Sequence, residues 1–339
     1  MSSETPLTIG FIGAGKVVEN MHLSCLKKLG DKFQIKGFAD KDEDKARALC
    51  EKAGQGRPYP SFAAMKADNP SLDMVTVATK PYITHQTCAI EALHAGCHVY
   101  VEKPFTVTLE GAREMFRVAE EQGRTLCAYQ NRRYEVAFLV FKQSLEDAVL
   151  GDPLVIRRRI TCGKEPKDLL NMGSHIIDQM ICLTDGEVPT EVSAVVQNPQ
   201  CEYDGPAGFF KLQLRYKDGK IGEIEMLPNA GSQSNYFYVA GSNGSFTQDW
   251  ADNMADLFRK NMKLNGNDAK WLPSTFQNIF PDIFQDGGSL YYHCYEAIYD
   301  HIVNGAPPPV PKRHTLLQLA LVEAMFASAR EGRTLPFQW

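Results

Sequence analysis

Short apolar runs alternate with segments of helix-forming residues over the first 130 positions of the chain. The apolar runs lie at residues 7–12, 34–39, 73–78, 98–101 and 125–129, and helix-like segments lie at 41–53, 85–96 and 109–122. Strands that alternate with helices of this length are typical of a parallel, doubly wound sheet. We therefore expect residues 1–130 to form one α/β domain.

The pattern changes after residue 130, where apolar and polar residues alternate within runs that follow one another directly. These runs, at 154–161, 191–196, 208–216, 220–226 and 236–240, predict strands, and helical periodicity returns at 290–303 and 314–330. Asp218-Gly219 is a strong hairpin signal between two strands, and consecutive strands without helices indicate a mostly antiparallel sheet. We interpret residues 250–288, which fit neither period, as a long active-site loop. The expected fold class is α/β, with a second α/β domain carrying an open, mostly antiparallel sheet at 131–339.

Composition excludes several classes of protein. The 339 residues include 36 Lys+Arg against 41 Asp+Glu, a net charge of −5, with 44% hydrophobic residues, which is ordinary for a globular chain of about two domains. This balance does not favour nucleic-acid binding, and no apolar run reaches the ~20 residues of a membrane span. Nine cysteines without a Cys-x-x-Cys pair indicate a reducing compartment and no metal site. With no signal peptide at the N-terminus, we expect a cytoplasmic protein.

Gly13-x-Gly15 lies between an expected strand and an expected helix, which is the context of a dinucleotide fingerprint. Two glycines let the backbone turn tightly and approach a pyrophosphate at the helix N-terminus. Val18 stands in place of the third glycine, so a plain strand-to-helix turn is the alternative interpretation.

Asp40 ends the second expected strand, where a carboxylate can accept hydrogen bonds from ribose hydroxyls and repel a 2′-phosphate. The alternative is that Asp40 caps the following helix, and one carboxylate can do both. Together with the glycines, Asp40 predicts dinucleotide binding, with NAD favoured over NADP.

Glu102-Lys103-Pro104 follows the fourth expected strand, at the carboxyl edge where such sheets bind ligands. An ammonium group there could donate to a substrate hydroxyl and stabilise the alkoxide that forms during hydride transfer. The alternative is a surface Glu–Lys pair.

Five motifs follow one another along nearly the whole chain. They are Gly13-Ala14-Gly15, Pro81-x-x-x-His85, Ala95-Gly96-x-His98-Val99-x-Val101-Glu102-Lys103-Pro104-Phe105, Gln130-Asn131-Arg132-Arg133 and Gly173-Ser174-His175-Ile176-Ile177-Asp178. This ordered set resembles the glucose–fructose oxidoreductase, inositol dehydrogenase and rhizopine-catabolism (Gfo/Idh/MocA) family. The resemblance implies a dinucleotide-binding Rossmann domain at 1–130. It also implies a domain for substrate binding and oligomerisation at 131–339, in a homodimer or homotetramer.

The resemblance implies that Lys103 and His175 are catalytic and that the Lys103–Pro104 bond is cis. Asn171, His175 and Asp178 are spaced to share one helical face, so His175 is a sensible general base. Asn171, the third residue expected to be catalytic, stands where relatives usually have Asp, and an amide can position substrate but cannot stabilise an imidazolium by charge. Asp178 either orients the His175 ring or makes a structural hydrogen bond.

The implied ligands are NAD, with NADP as the less favoured cofactor, and a carbohydrate carrying a secondary hydroxyl or ketone. The implied cofactor-binding residues are Gly13, Ala14, Gly15, Lys16, Val17, Asp40, Lys41, Thr79, Lys80, Pro81, His85, Glu102, Lys103 and Asn131. The implied substrate-binding residues are Lys103, Asn171, His175 and Tyr292, with Trp271 as a further candidate. Lys80, Tyr82 and Lys167-Asp168 depart from the residues common in relatives, so the substrate cannot be taken from any one of them.

Three functional hypotheses follow. The leading one is an oxidoreductase that moves a hydride between NAD(P) and a sugar, polyol or sugar derivative. The alternatives are an NAD-dependent glycosidase that oxidises its substrate transiently, and a non-catalytic, dinucleotide-sensing regulator. The presence of both Lys103 and His175 argues against the regulator, whereas Asn171 in place of the usual Asp keeps that alternative open.

Arg157-Arg158-Arg159 lies on an expected strand, so Arg157 and Arg159 share one face and Arg158 points to the other. We favour ion pairing on a solvated or subunit-facing sheet surface, and the alternative is contact with an anionic substrate.

Overall fold

The structure, a computed structural model, describes residues 6–146, 150–162, 169–201, 208–228, 236–248, 261–264, 267–270 and 290–339. The chain forms two compact units. The N-terminal unit contains residues up to Asn131 together with Tyr291–Leu316, and the C-terminal unit contains Arg132–Leu290 together with Leu317–Trp339. Residues 291–316 group with the N-terminal unit because Tyr295 packs edge-on against Tyr100 there, with ring centroids 5.6 Å apart. The domain boundary at residue 130 stays a prediction.

Fifteen strands and nine helices are described in these ranges. The strands are β1 (Leu7–Ile12), β2 (Phe33–Ala39), β3 (Arg57–Tyr59), β4 (Met74–Val77), β5 (His98–Val101), β6 (Leu126–Ala128), β7 (Pro153–Cys162), β8 (Glu191–Val196), β9 (Phe210–Arg215), β10 (Ile221–Pro228), β11 (Phe237–Gly241), β12 (Gly244–Gln248), β13 (Asn261–Leu264), β14 (Asn267–Lys270) and β15 (Leu335–Pro336). The helices are α1 (Leu23–Lys28), α2 (Glu43–Ala53), α3 (Phe62–Asp68), α4 (Thr84–His94), α5 (Leu109–Glu121), α6 (Val136–Glu146), α7 (Leu169–Leu183), α8 (His293–Asn304) and α9 (Lys312–Glu331). A π-helical turn, Val18–His22, leads into α1, and 3-10 turns cover Asn131–Tyr134 and Leu290–Tyr292.

The N-terminal unit is built on a parallel sheet of six strands in the order β3-β2-β1-β4-β5-β6. All four residues of β4 are buried, as expected for a central strand covered on both faces. The strand order reverses between β1 and β4, and in open α/β sheets ligands bind outside the carboxyl ends of the strands at such a point. The predicted doubly wound parallel sheet is confirmed.

The C-terminal unit is built on a sheet of nine strands in the order β14-β13-β12-β11-β7-β10-β9-β8-β15. Only the β7–β10 pairing is parallel among the described strands of this sheet, so the predicted mostly antiparallel sheet is confirmed. The predicted hairpin turn joins β9 to β10, where Tyr216 N–H donates to the Lys220 carbonyl at 3.0 Å and Gly219 has φ of +90°.

The interpretation of residues 250–288 as one long loop is wrong for the two short strands β13 and β14, which pair antiparallel. A four-residue strand is too short for its period to stand out from the neighbouring sequence. The remaining residues of that segment, with Trp271, lie outside the described residues, and so do Lys167 and Asp168.

The three arginines of β7 divide between the two faces of the sheet, as the strand period predicts. Arg157 and Arg159 are partly exposed and pair with Glu223 and Glu225 of β10, with N–O distances of 2.6 and 2.7 Å. Arg158 is fully buried, and its guanidinium carbon lies 3.6 Å from the centroid of the Tyr236 ring. The interpretation of the triplet as ion pairing is confirmed for the two outward arginines.

No helix within the described ranges has both the length and the apolar character that crossing a bilayer requires.

Candidate functional site

The loop that follows β1 closely approaches the end of β4. Gly13 has φ of +100°, and a Cβ added there would lie 2.5 Å from the Ala78 carbonyl oxygen, so a larger residue would clash with backbone. At Gly15 an added Cβ would meet nothing within 4 Å. The helix begins at once, since Val18 N–H donates to the Gly15 carbonyl at 3.0 Å. Helical N–H groups therefore begin beside open space, as pyrophosphate binding requires. Lys16 and Val17 are the first helical residues.

Asp40 connects the end of β2 to this loop. Its Oδ2 accepts from Ala14 N–H at 2.7 Å, and its Oδ1 accepts from Asp42 N–H at 3.0 Å. The N-cap of α2 is Asp42, whose side chain accepts from Lys45 N–H at 3.3 Å, so the alternative interpretation of Asp40 as that cap is wrong. The Asp40 carboxylate is only partly buried, and its contact with a ribose stays a prediction. Lys41 follows it and is exposed.

The turn after β4 contains three of the predicted cofactor residues. The hydroxyls of Thr79 and Thr84 lie 2.7 Å apart, which ties the turn to the first residue of α4. The Lys80–Pro81 peptide bond is cis, Lys80 is exposed, and its Nζ lies 5.1 Å from the centroid of the Tyr82 ring.

His85 joins this turn to the turn after β5. Its side chain is buried, with Nδ1 2.8 Å from the Pro104 carbonyl and Nε2 2.9 Å from the Thr79 carbonyl. Burial lowers the pKa of His85, and the two carbonyl contacts act in the opposite direction. The structure therefore shows His85 as a link between two turns, and its direct contact with the cofactor stays a prediction.

Glu102 and Lys103 directly follow β5. Glu102 is buried, and its Oε2 accepts from Lys103 N–H at 2.9 Å. The Lys103–Pro104 bond is cis, as the resemblance implied, and Lys103 is partly buried. Glu102 is thus a buried support for the lysine rather than half of a surface pair. The other oxygen of Glu102 lies 3.0 Å from His22 Nε2, a contact that the sequence analysis missed because nothing local links positions 22 and 102.

Asn131 lies at the end of the N-terminal unit, just after β6. It is 8% exposed, and its Oδ1 is buried without a hydrogen-bond partner in the part of the chain that the structure describes. Buried polar atoms are nearly always paired, so an unpaired acceptor here fits a ligand that carries a donor. The open space at Gly15, the Asp40 carboxylate and this oxygen all fit a dinucleotide.

The helix α7 carries the residues predicted for acid–base chemistry. His175 and Asp178 are buried, and Asn171 is partly buried. Both oxygens of Asp178 accept from Arg133, at 2.8 Å from Nε and 2.7 Å from Nη2. Of the two roles left open for Asp178, the structure therefore shows the structural one. Arg133 is part of the Gln130-Asn131-Arg132-Arg133 motif, but the sequence analysis assigned it no role.

The predicted residues fall into two groups. Those after β1, β2, β4 and β5 lie at the carboxyl edge of one parallel sheet, whereas Asn171 and His175 belong to the C-terminal unit. Joint action of His175 and Lys103 stays a prediction. Tyr292 is buried in the N-terminal unit, with Lys28 Nζ 4.9 Å from its ring centroid, and its contact with substrate also stays a prediction. Within the described ranges, no three His, Cys, Asp or Glu side chains are grouped so as to hold a metal ion.

Comparisons with known families agree with this arrangement. The model of a family described as an oxidoreductase family with an NAD-binding Rossmann fold, Gfo/Idh/MocA, matches residues 7–130, and the model of its C-terminal α/β domain matches residues 142–337.

Two curated relatives and one solved structure illustrate the similarity. The chain is 28% identical to scyllo-inositol 2-dehydrogenase (NADP(+)) IolW of Bacillus subtilis, over 79% of this chain and 80% of the relative. It is 31% identical to D-glucoside 3-dehydrogenase of Escherichia coli, over 52% of this chain and 53% of the relative. A crystal structure of a protein from Klebsiella pneumoniae superimposes with a TM-score of 0.82 at 23% identity, over 99% of this chain and 96% of the other, and it shows the same fold.

Proposed function

Because the chain belongs to the Gfo/Idh/MocA oxidoreductase family, with an NAD-binding Rossmann domain, we propose that it is a carbohydrate dehydrogenase or reductase. It moves a hydride between NAD and a secondary hydroxyl or ketone of a sugar, polyol or sugar derivative. The observation that carries the proposal is the position of Lys103, directly after β5 at the same sheet edge as the glycine loop and Asp40. An ammonium group at that edge can donate to the oxygen of a substrate.

The residues that would hold the cofactor are those of the carboxyl edge. The backbone from Gly13 to Val17 would bind the pyrophosphate at the start of the helix. Asp40 would accept from the ribose hydroxyls, and Asn131 Oδ1 would accept from a donor of the cofactor or substrate. A 2′-phosphate would approach the Asp40 carboxylate, so we propose NAD as the preferred cofactor even though the name of one relative specifies NADP(+).

In the direction of oxidation, the substrate loses a hydride from carbon and a proton from its hydroxyl. When bound, NAD supplies the hydride acceptor. We propose that Lys103 donates a hydrogen bond to the substrate oxygen and stabilises its developing negative charge, and that His175 takes the hydroxyl proton as general base. Asn171 orients the substrate through its amide, without adding a charge beside His175. In reduction the same groups act in reverse, and His175 returns the proton.

The test is a screen for cofactor reduction at 340 nm with inositols, other polyols, aldoses and alkyl glycosides, each with NAD and with NADP. Reduction of NAD by at least one of these, and its loss in Lys103→Ala, would support the proposal. A protein that binds NADH but reduces NAD with none of them would contradict it. Release of the aglycone without accumulation of NADH would instead identify a glycosidase. Light scattering after size exclusion would test the further proposal of a homodimer or homotetramer.

A further inference from the structure

A chain of buried polar side chains runs beneath Lys103 inside the N-terminal unit. The Thr76 and Tyr295 hydroxyl oxygens lie 3.1 Å apart, and the Tyr295 oxygen lies 2.7 Å from His22 Nδ1. His22 Nε2 lies 3.0 Å from Glu102 Oε1, and Glu102 Oε2 accepts from Lys103 N–H at 2.9 Å. The Thr76, His22 and Tyr295 side chains are fully buried, and Glu102 is 4% exposed. Four separate elements thus meet in one line that ends at the proposed catalytic lysine.

An ionised Glu102 carboxylate and a neutral His22 ring give these hydrogen bonds one consistent set of directions. An ionised carboxylate only accepts, so His22 Nε2 carries a hydrogen and donates it to Glu102. A neutral imidazole then has an acceptor at Nδ1, which receives the Tyr295 O–H. Burial raises the pKa of Tyr295 well above its usual value, so that hydroxyl keeps its proton. Thr76 donates to the Tyr295 oxygen in turn. With a neutral His22 ring, both ring nitrogens and both hydroxyl groups therefore have a hydrogen-bond partner within this chain of side chains.

We propose that His22 and Tyr295 are positioning residues for Lys103 and act on it through Glu102. Glu102 holds the backbone of Lys103, and His22 restrains the carboxylate from the other side. The orientation of the Glu102 side chain therefore determines where the lysine leaves β5. A misplacement of about 1 Å at a catalytic group can cost about 100-fold in rate, so a contact this close to Lys103 is expected to matter for turnover. This inference rests on the proposed role of Lys103.

The competing explanation is that Tyr295 and His22 only stabilise the core. Tyr100, whose ring packs against that of Tyr295, provides a matched control. Tyr100 is also buried, and its ring packs against Tyr295, but its hydroxyl lies 3.3 Å from the Cys294 carbonyl instead of His22. Tyr295→Phe and Tyr100→Phe each delete one buried hydroxyl from the same cluster. Only Tyr295→Phe removes a member of the chain that leads to Lys103.

The experiment compares Tyr295→Phe, His22→Gln and Tyr100→Phe with the wild type in three measurements. They are kcat and KM on a substrate from the screen, the Kd for NADH, and the NMR resonance of Lys103 after reductive ¹³C-methylation without cofactor. The Lys103 resonance is assigned by its absence in Lys103→Arg. We expect Tyr295→Phe and His22→Gln to lower kcat about 10- to 100-fold, to leave the Kd for NADH within about twofold, and to move the Lys103 resonance. Tyr100→Phe is expected to keep kcat within about twofold and to leave the resonance in place.

Equal losses of kcat in the two tyrosine variants, or an unmoved Lys103 resonance in both Tyr295→Phe and His22→Gln, would overturn the proposal. The NMR measurement tests the positioning of Lys103 separately from its proposed catalytic role. If Lys103→Ala retains full turnover, the catalytic role of Lys103 fails, while a resonance that still moves only in the His22 and Tyr295 variants would support their positioning effect on the lysine.

Discussion

Arg133 holds Asp178 through two hydrogen bonds, from Nε at 2.8 Å and from Nη2 at 2.7 Å. The Arg133 side chain is 9% exposed and that of Asp178 is 2% exposed. Two such bonds specify orientation as well as distance. The pair therefore ties α7, at a point three residues after His175 along the helix, to the 3-10 turn that carries Arg133.

We expect Asp178→Asn to lower the free energy of unfolding by about 3–5 kcal/mol, because it removes one charge from a buried ion pair joined by two hydrogen bonds. The control is Arg215→Ala, which removes an exposed pair with Glu191 and should cost less than about 1 kcal/mol. Urea titrations of both variants give the comparison. Equal costs for the two variants would show that the Asp178 contact contributes no more than a surface pair.

Asp40 is expected to set the cofactor preference by charge. We predict that NAD raises the melting temperature of the wild type more than NADP does, since ligand binding stabilises the native state by mass action. Asp40→Asn keeps an oxygen acceptor near Ala14 but removes the charge that opposes a 2′-phosphate. Its affinity for NADP should rise by at least about fivefold, as expected for removing a repulsion of about 1 kcal/mol. Asp42→Asn, two positions further on, is the control and should leave the preference unchanged. A wild type that favours NADP would refute the assignment.

Lys103→Ala is expected to act on the reaction and not on folding. Turnover should fall by roughly 10²–10⁴, the usual effect of losing an acid–base group, while the Kd for NADH stays within a few-fold. Steady-state kinetics and fluorescence titration with NADH measure the two effects separately. Near-native turnover in this variant would remove the lysine from the mechanism.

Asn171 offers a test of His175 as the base. Oxidation needs the neutral ring, so its rate should fall as the pH drops and the ring takes up a proton. An aspartate one helical turn away favours the imidazolium. We therefore expect the acid limb of the rate profile to move to higher pH in Asn171→Asp than in the wild type. Identical acid limbs would mean that residue 171 does not act on His175, or that another group takes the proton.

His98 predicts a pH dependence of stability. Its Nδ1 accepts from Thr125 N–H at 3.0 Å, a contact that needs an unprotonated nitrogen. The pKa of His98 lies below its usual 6.5, mainly because the ring is buried and to a smaller extent because of the nearby Arg124 charge. As the pH falls through 6.5, the unfolded chain therefore binds a proton that the native state does not, and stability decreases. Unfolding free energies between pH 7.5 and 5 should fall less steeply in His98→Gln, and the same slope in both proteins would contradict this.

Local patterns in the sequence predicted most of the N-terminal sheet and its glycine loop, because β1, β2, β4 and β5 are apolar runs that end at recognisable polar or glycine positions. The short elements β3 and α3 have three and seven residues, too few to show a period. The proximity of Asp40 to the glycine loop followed from parallel strands ending at one edge. The contact between His22 and Glu102 did not, because residues 80 positions apart carry no local sign of their pairing.

The charged residues of β7 and β10 favour one register between these two strands, which no turn connects directly. In this parallel pair, Arg157 faces Glu223, Arg158 faces Ile224 and Arg159 faces Glu225. The paired residues are 66 positions apart, so no short hairpin imposes their alignment. A shift by one residue would reverse the faces of the sheet, and a shift by two would leave one arginine opposite Ile221 or Leu227. The order of charged and apolar residues on the two strands therefore encodes a single correct alignment. Exchanging Glu223 with Ile224 would place an apolar residue opposite Arg157 and a carboxylate opposite the buried Arg158. The composition of the chain would stay the same, but the charges would no longer favour this alignment.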